Sequence, residues 1–305
     1  HGVGQVCHIK RFPRRGETLE ATNWHVEEDG GKGATVSAAL GRLGVSTGYI
    51  GKVGYDPWGD MGDQWMSESG VDTTYMYRDH SVSTGTGLIL IEEDSTNTII
   101  DGDSACQALT LEETKNAIEA MKEAKVFITG FGMPFRKALD GAKIAKQEYG
   151  MTTLCNVSPL PSEEMGELDY LDYMVLNDVE AKMLCNLPED SDQENYEIVR
   201  TLQQKYHCKG VIMTCSSKGS AIIDGDEYWE VEATPVKAVD TIGAGDGYLA
   251  AVAANLVWGK SLRESTEWAS KYAAYKVTRP GSMTKKPGCG YPNREEVERF
   301  IDSIK

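Results

Sequence analysis

This chain of 305 residues has no apolar run that approaches the roughly 20 residues a membrane-spanning helix needs. It is short of positive charge, with 31 Lys and Arg against 47 Asp and Glu and a net charge of −16. That balance argues against a nucleic-acid or anionic-membrane partner, because both require a basic surface. It leaves a phosphate ligand open, since a few local donors decide such binding. Its seven cysteines (Cys7, Cys106, Cys155, Cys185, Cys208, Cys215 and Cys289) are odd in number, scattered and without a C-x-x-C pair. This favours reduced thiols in a cytoplasm over a disulfide or zinc framework. The five histidines form no metal-spaced cluster. No signal peptide, repeat, linker or low-complexity segment is evident. What remains is a chain 40% hydrophobic and 26% charged, enough for one large domain or two small ones.

The most informative stretch is Asp240-Thr241-Ile242-Gly243-Ala244-Gly245-Asp246-Gly247. It follows a strand-like run at 228–236 and opens an almost wholly apolar helix at 248–258. A helix apolar on every face is buried. Two carboxylates and three glycines therefore sit at the buried start of a core helix. Free N–H groups and the positive end of the helix dipole suit an anion there, and glycine lets an anion approach the backbone. Asp246 beside such a hollow is the right group to take a proton from an attacking hydroxyl. The plainer reading is a helix cap and a turn.

Residues 12–18 read as a loop, and residues 1–11 contain no full apolar strand, so a leading strand is expected to be missing. Asp29-Gly30-Gly31-Lys32-Gly33-Ala34-Thr35 leads into a helix of small residues at 36–43. Lys32, flanked by glycines at a helix start, is a ligand candidate, against the ordinary fate of a solvated lysine. A strand at 47–53 turns into a helix at 58–69. Residues 84–92 and 98–101 predict a hairpin around Glu93-Asp94-Ser95-Thr96-Asn97. Helices at 111–122, 136–149, 179–184 and 195–206 then alternate with strands at 126–129, 151–156, 173–176 and 210–214. Further helices are expected at 262–278 and 294–304. Such alternation predicts a parallel sheet covered on both faces, with ligands beyond the carboxyl ends of its strands. Asn177 and Glu180, the run from Thr214 through Ser216 to Gly219, and the Asp240–Asp246 stretch meet at that edge. Singly they read as a cap, a first-turn carboxylate and a strand-end hydroxyl. Jointly they suit phosphate and magnesium, which takes few carboxylates and several waters.

Gly30-Gly31-Lys32-Gly33-Ala34, Asn177-x-x-Glu180 and Asp240-Thr241-x-Gly243-Ala244-Gly245-Asp246 resemble the ribokinase family, also called the PfkB carbohydrate kinases. Phe12-Pro-x-x-Gly-Glu-Thr18, Val53-Gly54-x-Asp56 and Thr278-Arg279-x-Gly281 agree, in the family's order and over nearly the whole chain. The resemblance implies an α/β fold, a Rossmann-type three-layer sandwich with a parallel-rich central sheet and a small β-sheet lid. One domain over 1–305 is expected, with lid segments at about 10–30 and 84–103. The implied reaction moves the γ-phosphoryl of ATP to a hydroxyl, usually primary, of a small carbohydrate. Asp246 is then the base, and Gly243, Ala244 and Gly245 are the anion hole. Asn177, Glu180, Thr214, Ser216, Gly219 and Ser270 serve the nucleotide, with Glu180 reaching magnesium through water. Gly30, Gly31, Lys32 and Thr35 face the sugar together with Asp246. Asp240, Ile242, Arg279 and Gly281 match a monovalent-cation site, for which potassium is the candidate. Lys276 and the loop after Gly281 are the alternative source of a fixed charge.

Thr35 stands where ribokinases have Asn, no carboxylate precedes Pro134, and Ser216 replaces a common glycine. The sugar thus stays open, and a nucleoside kinase or a non-catalytic sugar- or nucleotide-binding relative are the alternatives. The apolar run Gly87-Leu88-Ile89-Leu90-Ile91 predicts a homodimer through the lids, with Leu88 or Leu90 in the interface.

Overall fold

Helix starts in this chain are chemically marked. Thr110, Asn177, Ser261 and Asn293 each close a reciprocal capping box with a glutamate three residues on. In the computed structural model, which describes residues 1–93 and 97–304, β1 (Gly2–His8) and β2 (Thr22–Val26) precede α1 (Lys32–Arg42). Then come β3 (Thr47–Gly48), β4 (Gly51–Gly54), α2 (Pro57–Glu68), β5 (Val71–Asp72), β6 (Met76–Asp79), β7 (Gly85–Ile91) and β8 (Asn97–Asp101). The regular part follows with α3 (Leu111–Ala120), β9 (Val126–Gly130), α4 (Phe135–Tyr149), β10 (Thr152–Asn156), β11 (Tyr173–Asn177) and α5 (Asp178–Leu184). It continues through α6 (Asn195–Tyr206), β12 (Gly210–Thr214), β13 (Ser220–Asp224) and β14 (Glu227–Val231). The chain closes with α7 (Ala244–Val257), α8 (Leu262–Val277) and α9 (Arg294–Ser303).

The main sheet has six strands in the order β14-β13-β12-β11-β10-β9. β9 to β12 run parallel, and β13 and β14 return antiparallel. Alternate residues of each buried strand face opposite layers, as the strand pleat requires. Leu154, Val175, Ile212 and Ile222 pack with α1, α7 and α8, whereas Cys155, Met174, Val211 and Ile223 pack with α4, α5 and α6. This is the expected three-layer arrangement. α7 is buried on every face from Gly247 through Asn255, so its first turn is held rigidly against the sheet.

The small sheet has four strands, β2-β1-β7-β8. Here a strand forms where none was read, as Gly2–His8 pairs parallel to β7 and antiparallel to β2; it belongs to this small sheet and adds no strand to the main one. The expected hairpin forms as β7 and β8 in antiparallel register; residues 94–96 of its turn lie outside the described residues. The strand expected at 228–236 ends at Val231, and it pairs with β13, a strand directly after the nucleotide loop at 214–219 that the sequence reading left unassigned. α1 begins at Lys32, four residues before the expected start at 36. The strand expected at 47–53 is split into β3 and β4, each paired with its own short partner. The small sheet's two faces differ. Val6, Ile89 and Ile99 face the cleft. Leu90, at 7% exposure, is covered on the other side by Cys7, Ile9, Leu19 and Ala21. Leu90 is therefore an internal residue of this chain and no longer an interface candidate.

Candidate active site

The Asp240–Asp246 turn is braced from behind. The N–H groups of Val239 and Asp240 donate to the Val277 carbonyl at 2.7 and 3.0 Å. One oxygen of Asp240 accepts from the Ile242 N–H at 2.9 Å and the other from the Gly281 N–H at 2.7 Å. The Ile242 carbonyl takes the ammonium of Lys276, and the Gly243 carbonyl takes the Tyr291 hydroxyl at 3.0 Å. Both carbonyls are thus turned toward the protein. Gly243 is the N-cap of α7 with φ of 71°, and no side chain caps this helix. A Cβ at Gly243 would lie 2.5 Å from the Tyr291 hydroxyl, so only glycine fits. At Gly245 a Cβ would meet nothing within 4 Å, which leaves the first turn open on its outer side. The Ala244 N–H donates back to the Thr241 carbonyl at 3.1 Å; the uncapped N–H groups beside it at this open helix start suit an anion.

Asp246 sits in that first turn and reaches across to α1. Its Oδ2 lies 3.1 Å from the Thr35 hydroxyl, which also lies within hydrogen-bond distance of the Gly31 and Lys32 carbonyls. Thr35 is fully buried. Burial pushes the Asp246 carboxyl above the ordinary aspartate range and Asp29 adds to this, while Lys32, the Thr35 hydrogen bond and Lys276 act the other way. Gly31, the N-cap of α1, has φ of 77° and donates its N–H to Asp29 at 2.8 Å. The structure therefore joins Gly30, Gly31, Lys32 and Thr35 to Asp246 at the meeting of two helix starts. The long loop after Gly281 braces this turn: the Met283 N–H donates to the Glu28 carbonyl at 3.1 Å, and the Gly30 N–H to the Met283 sulfur at 3.2 Å. Asp29 and Tyr291 were not singled out from the sequence. Asp29 had a signal, an acid just before a double glycine; Tyr291 had none.

The nucleotide-side residues other than Ser270 also come together, and several of their polar groups are already partnered. Asn177 and Thr214 are register neighbours at the carboxyl ends of β11 and β12. Asn177 Oδ1 accepts from the Glu180 N–H at 2.8 Å, and Glu180 Oε2 accepts from the Asn177 N–H at 3.0 Å. The Thr214 hydroxyl donates to the Leu176 carbonyl at 3.4 Å. Ser270 is set apart, buried on α8 and donating to the Glu232 carbonyl at 2.9 Å. Ser216 has φ of 50°, which explains in physical terms why glycine suits that position. Gly219 has no substitute, as a Cβ there would lie 1.9 Å from the Val231 carbonyl. The Tyr248 and Ser220 hydroxyls, 2.9 Å apart, tie the second turn of α7 to this strand edge.

Among the described residues no group of three or more His, Cys, Asp or Glu could hold a metal ion. Magnesium takes one or two carboxylates and draws its remaining ligands from phosphates and water; Asp178 and Glu180 are carboxylates in the first turn at this edge. The potassium expectation fits less well. The Ile242 carbonyl is occupied by Lys276. The Arg279 guanidinium donates to the Gly290 and Cys289 carbonyls and to Glu296 and offers a cation no ligand, so Arg279 could contribute only its backbone carbonyl.

A cavity of about 1440 Å³ opens under the small sheet, where Lys32, Ile242, His8, His25, Asp101 and Asn156 line it, and continues into the main body past Val126, Ile128, Leu249 and Val257. Gly132 and Met133, which precede Pro134, also line it. Fold, anion hollow and cleft together define a phosphotransferase site. The family model of the pfkB family carbohydrate kinases matches residues 7–289, and the chain belongs to that family. It is 27% identical over 303 residues to the deoxyribokinase of Salmonella typhi, covering 98% of this chain and 95% of that protein. It is likewise 27% identical to the ribokinase of Staphylococcus aureus, covering 93% of each. The structure of Arabidopsis thaliana ribokinase complexed with ribose and ATP superposes with a TM-score of 0.86 at 25% identity, over 98% of this chain and 96% of that one. The protein is a carbohydrate kinase, a phosphotransferase with an alcohol acceptor.

Proposed function

We propose that this kinase transfers the γ-phosphoryl of ATP to a hydroxyl of a small sugar held in the cleft, with Asp246 as the general base. The observation that carries this is the position of the Asp246 carboxylate, in the open first turn of α7 and 3.1 Å from Thr35 beside Lys32. Phosphoryl transfer needs positioning, charge stabilisation and a base more than covalent chemistry. Asp246 takes the proton of the attacking hydroxyl. The N–H groups of Gly243 and Gly245 face the charge that grows on the moving phosphoryl, and Ala244 joins them by releasing the Thr241 carbonyl, to which its N–H donates at 3.1 Å. Gly30, Gly31, Lys32 and Thr35 form the sugar-side wall. Asn177, Glu180, Thr214, Ser216 and Gly219 form the nucleotide edge, and a bound magnesium, reached by Glu180 through water, neutralises phosphate charge.

Ribokinase and deoxyribokinase relatives make ribose and 2-deoxyribose the first acceptors to try. Thr35 and the missing carboxylate before Pro134 call for a wider set. ATP consumption with pentoses, ketohexoses, sugar acids and nucleosides tests the reading. A sugar that is turned over supports it. Turnover of nucleosides alone, or of nothing, contradicts it.

We infer also that the outer face of the small sheet pairs two copies of the chain. Trp24, at 61% exposure, and Ile100, at 51%, leave apolar surface open there, and the register puts Leu88 between Gln5 and Ile100 on that face.

A further inference from the structure

We propose that Lys276 supplies, from within the chain, the positive charge that sets the anion-binding turn, so that this kinase transfers phosphoryl groups without potassium. Lys276 lies in the last turn of α8 and is fully buried. A fully buried lysine is rare unless it has a defined partner. Its Nζ is directed at the Ile242 carbonyl. The peptide that carries this carbonyl also carries the Gly243 N–H, and in a planar trans peptide the two point in opposite directions. Fixing the carbonyl on Lys276 therefore fixes where the first donor of the anion hollow points.

The surroundings are those of a cation site already filled. Burial holds the Lys276 ammonium below the ordinary lysine range and Arg279 adds to this, while Asp240, Asp29 and Asp246 favour the charged form. Asp240 meanwhile holds the same turn through the Ile242 and Gly281 N–H groups. A potassium ion at this turn would have to share the Ile242 carbonyl with an ammonium group, which like-charge repulsion in a buried setting opposes. Lys276 thus acts through the turn, as a positioning residue, and does not touch the reacting atoms.

The inference rests on the kinase reading above, and the test separates the two. Wild type, Lys276→Met and Lys276→Arg are assayed with ATP and the sugar found by the acceptor set, in potassium, sodium and tetramethylammonium chloride. ADP binding is titrated calorimetrically in the same salts. Wild-type kcat should agree within about twofold in all three salts. Lys276→Met should lose about tenfold to a thousandfold in kcat in tetramethylammonium with sugar KM little changed, the scale of a disturbed oxyanion donor. Potassium should restore part of that loss, and Lys276→Arg should stay indifferent to salt. A structural staple alone gives no rescue by an ion. Wild type that needs potassium, Lys276→Met as fast as wild type in every salt, or a loss no ion relieves would each overturn the proposal. If Lys276→Met fails to fold, the wild-type and Lys276→Arg salt series still decide it. If no acceptor is turned over, the kinase reading fails, while ADP affinity still decides the cation question: equal in the three salts it supports the built-in charge, and raised by potassium it refutes it.

Discussion

The start of α7 and the edge formed by β11 and β12 lie side by side, yet their polar groups are in opposite states. At the start of α7 the carbonyls are tied back by Lys276 and Tyr291, the helix has no side-chain cap, and burial holds Asp246 above its ordinary pKa. At the neighbouring edge Asn177 and Glu180 satisfy each other in a capping box and Thr214 is hydrogen-bonded to backbone. The first region is preorganised for an incoming charge. The second already spends the Asn177 carbonyl oxygen, one Glu180 oxygen and the Thr214 hydroxyl within the chain. Preorganised donors cost no rearrangement when charge develops, so chemistry belongs at α7 and nucleotide recognition at the more adaptable edge.

The largest expected effect follows from replacing Asp246. Asp246→Asn should lower kcat by about 10² to 10⁴-fold, the usual cost of a lost general base, while ADP binding persists. Its stability should move the other way. The folded carboxyl titrates above its unfolded value. The stability this group contributes is therefore fullest below the unfolded pKa and is lost as pH rises through the folded one. At neutral pH the variant should melt no lower than wild type by calorimetry. Near-normal kcat would remove Asp246 from the mechanism.

The two regions were not equally legible in the sequence. The apolar run behind Asp246 announced a buried helix, and the regular alternation from Leu111 to Thr214 gave the parallel strands β9 to β12. β1 was hidden because Gly-Val-Gly-Gln-Val-Cys-His has neither a continuous apolar run nor a polar face; its residues divide between the cleft and the covered outer side of a thin sheet. β13 is a short apolar run whose pairing depends on Glu227–Val231 folding back beside it. The covering of Leu90 by Leu19 and Ala21 comes from a loop, which has no periodicity to read.

A smaller effect should come from the partnered edge. Asn177→Ala removes a cap, worth about 1 kcal/mol of stability. If the same amide also serves the phosphates, the KM for ATP should rise about tenfold with kcat less affected. A lower melting temperature with unchanged ATP kinetics would confine Asn177 to capping. The smallest effect on rate is expected at the small sheet's outer face. Leu88→Asp combined with Ile100→Asp should convert a dimer to a monomer in light scattering while turnover continues. A wild-type monomer, or a dimer that survives both changes, would refute the pairing.

The central claim is that a buried carboxylate at the start of α7 is the base, and the pH dependence of kcat/KM tests it most directly because that ratio reports groups of the free enzyme. Wild type should lose activity toward acid pH with an inflection above the ordinary aspartate value of about 3.9, in the direction that burial shifts Asp246. The residual activity of Asp246→Asn should lack that inflection. An acid limb that persists unchanged in Asp246→Asn would contradict the account.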